Sequence, residues 1–155
     1  MSYVETNLIP GEQVLYQTGL HWIVFVVPVF FAVLCGLIGL PLLFMQDSAA
    51  VGFFLLVFAG LLVLFGYLTR KATEMAVTNK RIVIKTGLLS RKTFELLLSK
   101  VESIGVEEGL LGRMLGYGSV VVRGTGGTPE PFKNVAHPLE FRRQVQQRVE
   151  DREQK

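Results

Sequence analysis

The residues that could perform catalysis are few and do not form a recognisable set. The two histidines, His21 and His137, have no cysteine or carboxylate at the spacing that metal ligands require. Glu107 and Glu108 are adjacent, so on a strand their side chains would point to opposite faces and could not act as an acid–base pair. The sequence therefore predicts a nonenzymatic protein with no catalytic residue, no metal and no cofactor.

Two further features resemble chemical motifs but are better explained as structure. Cys35, the one cysteine, lies inside an apolar run, which disfavours its thiolate and excludes an intramolecular disulfide. The glycine-rich segment 124–128 lacks the Lys-Ser/Thr pair of a phosphate-binding loop and is followed by Pro129 rather than by a helix. We expect a buried, inert thiol and a hairpin turn at these positions.

The apolar residues are concentrated in one part of the chain. Half of all residues are hydrophobic and the mean hydropathy is +0.41, yet residues 22–68 contain a single formal charge, Asp47. As helices, residues 22–45 and 49–68 would be about 36 and about 30 Å long, enough to cross a hydrocarbon core of about 30 Å. A soluble fold would need a core around both helices that the remaining residues cannot build. We predict a transmembrane helical hairpin.

The charges indicate the orientation of this hairpin. All sixteen Lys and Arg residues follow the second run, whereas the first 69 residues carry three acids and no base. By the positive-inside rule, residues 69–155 should be cytoplasmic. Two crossings would return residues 1–21 to the same side, so we expect a multi-pass protein of the inner (cytoplasmic) membrane with both termini cytoplasmic.

Aromatic and small residues add detail to the predicted hairpin. Trp22 and Tyr67 would lie at the same membrane interface, as an aromatic belt would place them. Pro28 should kink the first helix. Five small residues could allow close helix approach: Ala32, Gly36, Gly52, Gly60 and Gly66. They would serve either self-association or packing between the two helices of one hairpin.

After Leu68 the sequence becomes a succession of β-branched stretches separated by Gly, Asn and Pro, which predicts at least five strands. We place these strands at 74–78, 81–86, 91–97, 101–107 and 117–123. Between the last two, residues 109–116 should form a helical turn that folds Leu110, Leu111, Met114 and Leu115 onto the sheet.

The last element is predicted to be an amphipathic helix. It begins at Pro138, which suits a first helical position, and presents Phe141, Val145 and Val149 as one apolar stripe to the sheet. Strands followed by one helix favour a pleckstrin-homology-like (PH-like) barrel, although periodicity leaves several small barrels possible. Residues 12–18 would either add a strand to that barrel or only lead into the membrane.

Several sequence stretches together resemble the bacterial PH domain family of small membrane proteins. They are EMAVTNKRIVIKTG at 74–87, TFELLLSKVESIGVEEGLLGRMLGYGSVVVRGTGG at 93–127, PF at 131–132, Pro10-Gly11-Glu12 and His21-Trp22. The resemblance implies an α+β membrane protein, in which a two-helix transmembrane hairpin is followed by a PH-like β-barrel or sandwich with a C-terminal capping helix. It implies no catalytic residue, cofactor or ligand.

Basic residues near the predicted membrane suggest a contact with lipid. Anionic headgroups attract a nearby Lys or Arg by about 1 kcal/mol each, so six residues could hold the domain against the inner leaflet: Arg70, Lys71, Lys80, Arg81, Arg91 and Lys92. Alternatively, Arg70 and Lys71 only set topology and the others keep strand edges soluble. A phosphoinositide pocket is disfavoured because the connection 78–81 is tight.

These observations lead to one main functional hypothesis. The chain is expected to be a nonenzymatic, membrane-anchored interaction or scaffolding module whose partners are membrane lipids and another protein or a second copy of itself. The alternative is a lipid-binding or small transport component formed by oligomerised hairpins. Nucleic acid is not expected as a partner, because the aromatic residues of the domain sit among apolar neighbours rather than on a basic surface.

Overall fold

A computed structural model of the chain describes residues 3–88 and 91–153, with side chains up to residue 151. The chain forms two compact units, divided between His21 and Trp22 and between Lys71 and Ala72. The N-terminal residues therefore belong to the same unit as the C-terminal half. In chain order the elements are α1 (Tyr3–Thr6), β1 (Val14–Gly19), a 3-10 turn (Trp22–Phe25), α2 (Val26–Leu43), α3 (Ala49–Ala72), β2 (Glu74–Thr78), β3 (Arg81–Thr86), β4 (Lys92–Leu97), a second 3-10 turn (Leu98–Lys100), β5 (Val101–Glu107), α4 (Leu110–Leu115), β6 (Tyr117–Gly124), β7 (Glu130–Ala136) and α5 (Pro138–Glu153).

The helical unit contains the two apolar runs as two helical segments, Trp22–Leu43 and Ala49–Ala72, each long and apolar enough to cross a membrane. Their large side chains are mostly exposed: Leu37 is 67% and Phe54 70% accessible. Pro28, which was predicted to kink the first helix, lies in the first turn of α2, where backbone N–H groups lack intrahelical partners. A proline at this position therefore removes no hydrogen bond from the helix and gives no reason for a kink. Pro41 is the proline inside the helix.

The other unit is built from two antiparallel sheets. One has the strand order β1-β2-β3-β4 and the other β5-β6-β7. Among the described residues β4 and β5 do not pair, so of the two predicted forms, barrel or sandwich, the domain has the two-sheet sandwich. The sheets meet through an isolated bridge between Leu20 and Val135. Residues 12–18 do contribute a strand, because β1 pairs with β2 from Val14↔Thr78 to Gly19↔Glu74.

Strand predictions succeeded where β-branched residues dominate. The predicted bounds of β2, β3 and β5 are confirmed, and β4 and β6 differ from their predictions by one residue at one end. By contrast, β7 was missed, because Pro131 and Asn134 are poor strand formers and Asn134 has a positive φ of 57°. Its pairing with β6 supplies what local propensity does not.

The core lies between the two sheets and α5. Phe141 and Val145 are fully buried and Val149 packs beside them, which confirms the predicted stripe of α5. The sheet residues of this core are Met75, Val77, Ile82, Ile84, Val120, Val122 and Val135. The opposite face of β2 and β3 is also covered, since Ala76 and Val83 are buried against Val4 of α1. This second layer explains why β2 and β3 are apolar at consecutive positions rather than alternate ones.

Candidate functional site

The N-terminal segment is held to the β2–β3 turn by a buried ion pair. The Glu12 carboxylate, with no accessible side-chain surface, accepts hydrogen bonds from Arg81 Nε at 2.9 Å and from the Thr78 hydroxyl at 2.7 Å. It also accepts one from the Ile9 backbone N–H at 2.7 Å. Asn79 adds two more links, accepting from Gln13 N–H and donating to the Gly11 carbonyl, each at 3.0 Å. We call this arrangement, residues 7–13 with 78–81, the N-terminal clamp.

The clamp sets the charge states of its members. Burial raises the pKa of Glu12, but the hydrogen bonds from Ile9, Arg81 and Thr78 together with the Arg81 charge outweigh burial, so the pKa of Glu12 lies below its ordinary value. The hydrogen bond to Glu12 and the charges of Glu95 and Glu12 likewise raise the pKa of Arg81. Both groups are therefore ionised at neutral pH, and the pair is satisfied internally.

Two of the six residues predicted to contact lipid take part in the N-terminal clamp. The Arg81 side chain is only 12% accessible, and besides Glu12 its guanidinium contacts the Glu95 carboxylate and the Asn7 carbonyl. The Lys80 ammonium donates to the Pro10 carbonyl at 2.7 Å. These two cations bind the chain's own N-terminal segment, so the clamp occupies the connection in which a phosphoinositide pocket was considered.

Both connections to the helical unit leave the domain from one place. Gly19, two residues before His21, pairs with Glu74, and Glu74 pairs in turn with Lys85 of β3. Lys85 pairs with Thr93, and Thr86 with Lys92. We call this end of the domain, Gly19–His21 with Thr73–Glu74 and the strand ends beside them, the junction edge. The clamp lies about 14 Å away at the other end of β2, since each strand residue advances about 3.4 Å.

His21 anchors the junction edge to the second sheet. Its ring stacks on Tyr117 with centroids 5.3 Å apart, and its backbone N–H donates to the Asn134 carbonyl at 2.8 Å. Thr18 adds a hydroxyl bond to the Ala136 carbonyl at 2.8 Å. His21 is buried within the domain, which explains the His-Trp pair as an anchor followed at once by the first apolar helix. His137 acts at the start of α5, where its carbonyl accepts from the Phe141 N–H.

The other predicted cations fall into two groups. Arg91 and Lys92 are exposed at the start of β4, at the junction edge. Sequence reasoning did not include Lys85, which pairs with Thr93 at the same end of the sheet and places its ammonium 4.8 Å from the centre of the Tyr3 ring. In the helical unit, Arg70 lies over the Phe25 ring at 5.8 Å and Lys71 over Tyr67 at 4.9 Å. Trp22 and Tyr67 are both exposed.

Within the helical unit, the glycines have different surroundings. A Cβ on Gly52 would lie 2.6 Å from the Gly39 carbonyl oxygen, and one on Gly66 would lie 3.4 Å from Phe25 and Pro28 atoms. The helices therefore cross closely at Gly39 and Gly52, and Gly39 was not in the predicted set. In contrast, Gly36 and Gly60 have no atom within 4 Å of an added Cβ. Ala32, one turn from Gly36, is partly buried.

The short helix α4 does not fold onto the sheet as predicted. Leu110 and Met114 are 87% and 83% exposed, and Leu111 is 65% exposed. The residue of α4 that does pack is Gly112, where an added Cβ would lie 2.3 Å from the Tyr117 carbonyl oxygen. Glycine permits that backbone contact, and it turns the apolar side chains of α4 outward.

A shallow groove runs between β5 and α5. Its volume is about 140 Å³, and its lining residues are Val101, Glu102, Ser103, Ile104, Val145, Gln146, Val149 and Glu150. Apolar side chains from both elements form the floor, and Glu102, Gln146 and Glu150 form a polar rim. β5 pairs with β6 alone among the described strands, so its other edge has no strand partner there, and residues 101–104 of β5 line the groove.

Within residues 3–88 and 91–153, no three His, Cys, Asp or Glu side chains are grouped as a metal site would require. The polar network that is buried, the N-terminal clamp, is internally satisfied rather than directed into a cavity.

Two antiparallel sheets capped by a C-terminal helix define a PH-like sandwich. The family model described as bacterial PH domain matches residues 22–149, a range that includes the apolar helices as well as most of the sandwich. The chain therefore belongs to the bacterial PH domain family. Neither a curated protein nor a solved structure gave a significant match.

Proposed function

We propose that this chain is a membrane-anchored interaction module, in which the helical hairpin spans the inner membrane and the PH-like domain binds an extended protein segment on the cytoplasmic side. The observation that carries the proposal is the free edge of β5 beside the groove of α5. An extended segment can pair with such an edge through backbone hydrogen bonds, while its alternate side chains enter the groove.

The helical unit supports the anchoring part of the proposal. Apolar side chains as large as Phe54 and Leu37 stay mostly exposed on both helices, and such a surface would be unstable in water. The basic residues follow the second helix, so the domain is assigned to the cytoplasm. Anchoring confines the domain to the membrane surface and raises its local concentration there.

The groove also indicates the chemistry of its partner. Val101, Ile104, Val145 and Val149 offer an apolar floor, and the exposed acids Glu102 and Glu150 lie on the rim. We expect a partner strand with apolar residues at alternate positions and Lys or Arg between them, because strand side chains alternate between the two faces. The groove is too open and shallow to enclose a small metabolite.

A photo-crosslinking experiment in native membranes tests the binding site. Benzoylphenylalanine introduced at Ser103 or at Gln146, both exposed in the groove, should yield one discrete crosslinked species. The control is the same residue at Lys133, which is exposed on β7. No crosslink from the groove positions, or the same pattern from Lys133, would refute the proposed site.

Orientation is tested separately with a thiol reagent that does not cross membranes. In a Cys35→Ala background, Asp47→Cys lies in the connection between the two helices and Thr125→Cys in the exposed β6–β7 turn. Labelling of intact cells should modify the first and spare the second. Labelling of Thr125→Cys alone would show that the orientation is opposite to the proposed one. Labelling of both positions would argue against a bilayer between them.

A second candidate, assembly of several hairpins into a larger lipid-binding or transport body, is favoured by one observation. Gly36 and Gly60 leave open space on the helix surfaces, away from the contact at Gly39 and Gly52. Small residues that face outward can serve close packing between copies. This candidate predicts an oligomer that depends on Gly36 and Gly60.

A further inference from the structure

Helix α4 presents exposed apolar side chains, and its position is fixed by contacts with the rest of the domain. Leu110, Leu111 and Met114 are largely exposed, yet the helix is fixed from beneath by Gly112, which lies against the Tyr117 carbonyl. The helix ends at Gly116, which has a φ of 77° and donates its N–H to the Gly112 carbonyl at 2.7 Å. These contacts indicate that the exposure of the apolar side chains is a feature of the fold and not the result of a loosely packed loop.

The location of α4 follows from contacts inside the domain. Tyr117 comes two residues after α4, and its ring stacks on His21. His21 precedes Trp22, the first residue of the first apolar segment, by one peptide bond. Since α4 is only about 9 Å long at about 1.5 Å per residue, its side chains lie near His21, the last residue of this compact unit before the first apolar segment.

Charges of both signs lie near α4, since Glu107 lines a cavity together with Leu110 and Leu111. Arg113 is exposed in the last turn of α4, and Arg91 and Lys92 are exposed at the start of β4 on the junction edge. A helical turn whose exposed side chains are apolar and that also carries an exposed cation, as α4 carries Arg113, is typical of segments that lie in the interfacial layer of a bilayer containing anionic lipids.

We propose that α4 inserts Leu110, Leu111 and Met114 into the interfacial layer of the leaflet from which the hairpin starts. The insertion rests on the membrane anchoring of the proposed function and adds a lipid contact that orients the domain. A protein partner is a poorer occupant, because a stable interface needs about 800 Å² from each side. A helix of six residues offers much less.

Depth-dependent quenching in the full chain tests the insertion. With Cys35→Ala as background, Met114→Cys carries an environment-sensitive fluorophore, and the protein is reconstituted into phosphatidylethanolamine–phosphatidylglycerol vesicles with or without nitroxide-labelled lipid. Leu97→Cys is the matched control, since Leu97 is 51% exposed and pairs with Arg81 at the end of the sheet away from the junction edge. Phe54→Cys, on α3, reports whether the hairpin itself is in the bilayer.

The expected result is a large loss of fluorescence at Met114→Cys and at Phe54→Cys and little loss at Leu97→Cys. Leu111→Cys provides a second position should the first variant fold poorly. Quenching at Phe54→Cys with none at either α4 position would overturn the insertion and leave the anchoring intact. No quenching at Phe54→Cys would instead refute the anchoring. A fluorophore on α4 shielded from water but unaffected by nitroxide lipid would mean that a second copy or a protein covers α4, which also overturns the proposal.

Discussion

Glu12 and Arg81 lie 69 positions apart in the chain, and the Arg81 guanidinium donates hydrogen bonds of 2.9 and 3.0 Å to the two oxygens of the Glu12 carboxylate. The pair holds the N-terminal segment over the β2–β3 turn, although the whole helical hairpin separates the two in the sequence. It explains why the Pro-Gly-Glu segment and the Thr-Asn-Lys-Arg turn stand together in one domain: Gly11, Glu12 and Gln13 bond to Thr78, Asn79 and Arg81.

Arg81→Met should destabilise the domain substantially. The substitution leaves the buried Glu12 carboxylate without its counter-ion, and removing one partner of a buried ion pair costs about 3 kcal/mol. Urea unfolding in mild detergent, followed by the near-ultraviolet circular dichroism of the domain, would measure the loss.

Arg143→Met is the control for this prediction, since Arg143 pairs with Glu140 on α5 but its side chain is 75% accessible. An exposed pair contributes about 0.2–1 kcal/mol, so this variant should stay near the parent. Equal losses in the two variants would contradict the structural role of the clamp.

Acid should weaken the domain through Glu12. The pKa of this carboxyl is lower in the folded chain than in the unfolded chain, so the stability it contributes is present above the unfolded pKa and is lost as pH falls through the folded pKa. The urea midpoint of the parent should therefore fall as pH decreases below about 4.5.

Glu12→Gln removes the titrating group, so its stability should be lower at neutral pH and should decline less on acidification. The measurement is the urea midpoint at several pH values for both proteins. Parallel curves for parent and variant would show that Glu12 does not carry the pH dependence.

Local sequence patterns sufficed for part of this fold, and the clamp shows where they fail. Runs such as Arg81–Thr86 are β-branched, so local propensity and tertiary pairing agree there. Val14–Gly19 becomes a strand only because it pairs with Glu74–Thr78 across the two apolar helices. Arg81 was assigned to lipid because its position in the sequence gives no sign that Glu12 folds back onto it. Charge counting alone cannot distinguish a buried cation from a surface one.

Replacing residues 22–71 by a short Gly-Ser linker should yield a soluble, folded domain. Gly19 pairs with Glu74, and a Cβ on Gly19 would lie 3.2 Å from the Thr73 carbonyl oxygen, so the two ends to be joined are already close. Amide hydrogen exchange should show protection in β2 and β3. This variant retains β1 and the N-terminal clamp.

Residues 72–155 alone provide the comparison. They lack β1, so β2 would become an edge strand, and Thr78 and Arg81 would lose Glu12. We expect this fragment to unfold or aggregate, because an uncovered apolar edge invites association. Equal protection in both proteins would show that the first 21 residues are dispensable for folding.

Leu110 and Met114 give a second case in which sequence reasoning failed for a physical reason. Apolar residues in GLLGRMLG predict burial when water is the only solvent considered, yet the chain places Gly112 against Tyr117 and turns the larger side chains outward. The sequence predicted the helical turn correctly but not which of its residues face the sheet. The residue that faces the sheet is Gly112, because it is small enough to approach the backbone of β6.

Substitutions in the hairpin should separate packing within one chain from packing between chains. Gly52→Leu places a side chain where a Cβ alone would lie 2.6 Å from the Gly39 carbonyl oxygen and 2.7 Å from the Leu43 nitrogen. These are backbone atoms that cannot move aside, so we expect misfolding and low accumulation in membranes. Gly60→Leu, on the same helix, meets open space and should accumulate normally.

The two outward glycines then decide the oligomer question. If hairpins assemble through their outer faces, Gly36→Leu and Gly60→Leu should reduce the crosslinked dimer in membranes without lowering the amount of folded chain, because bulk there blocks close approach only between copies. Unchanged crosslinking would leave the contact at Gly39 and Gly52 as the role of the small residues and would remove the support for an assembled transport body. The measurement is crosslinking in native membranes followed by denaturing electrophoresis. Gly52→Leu is the control, because this variant should already reduce the amount of folded chain.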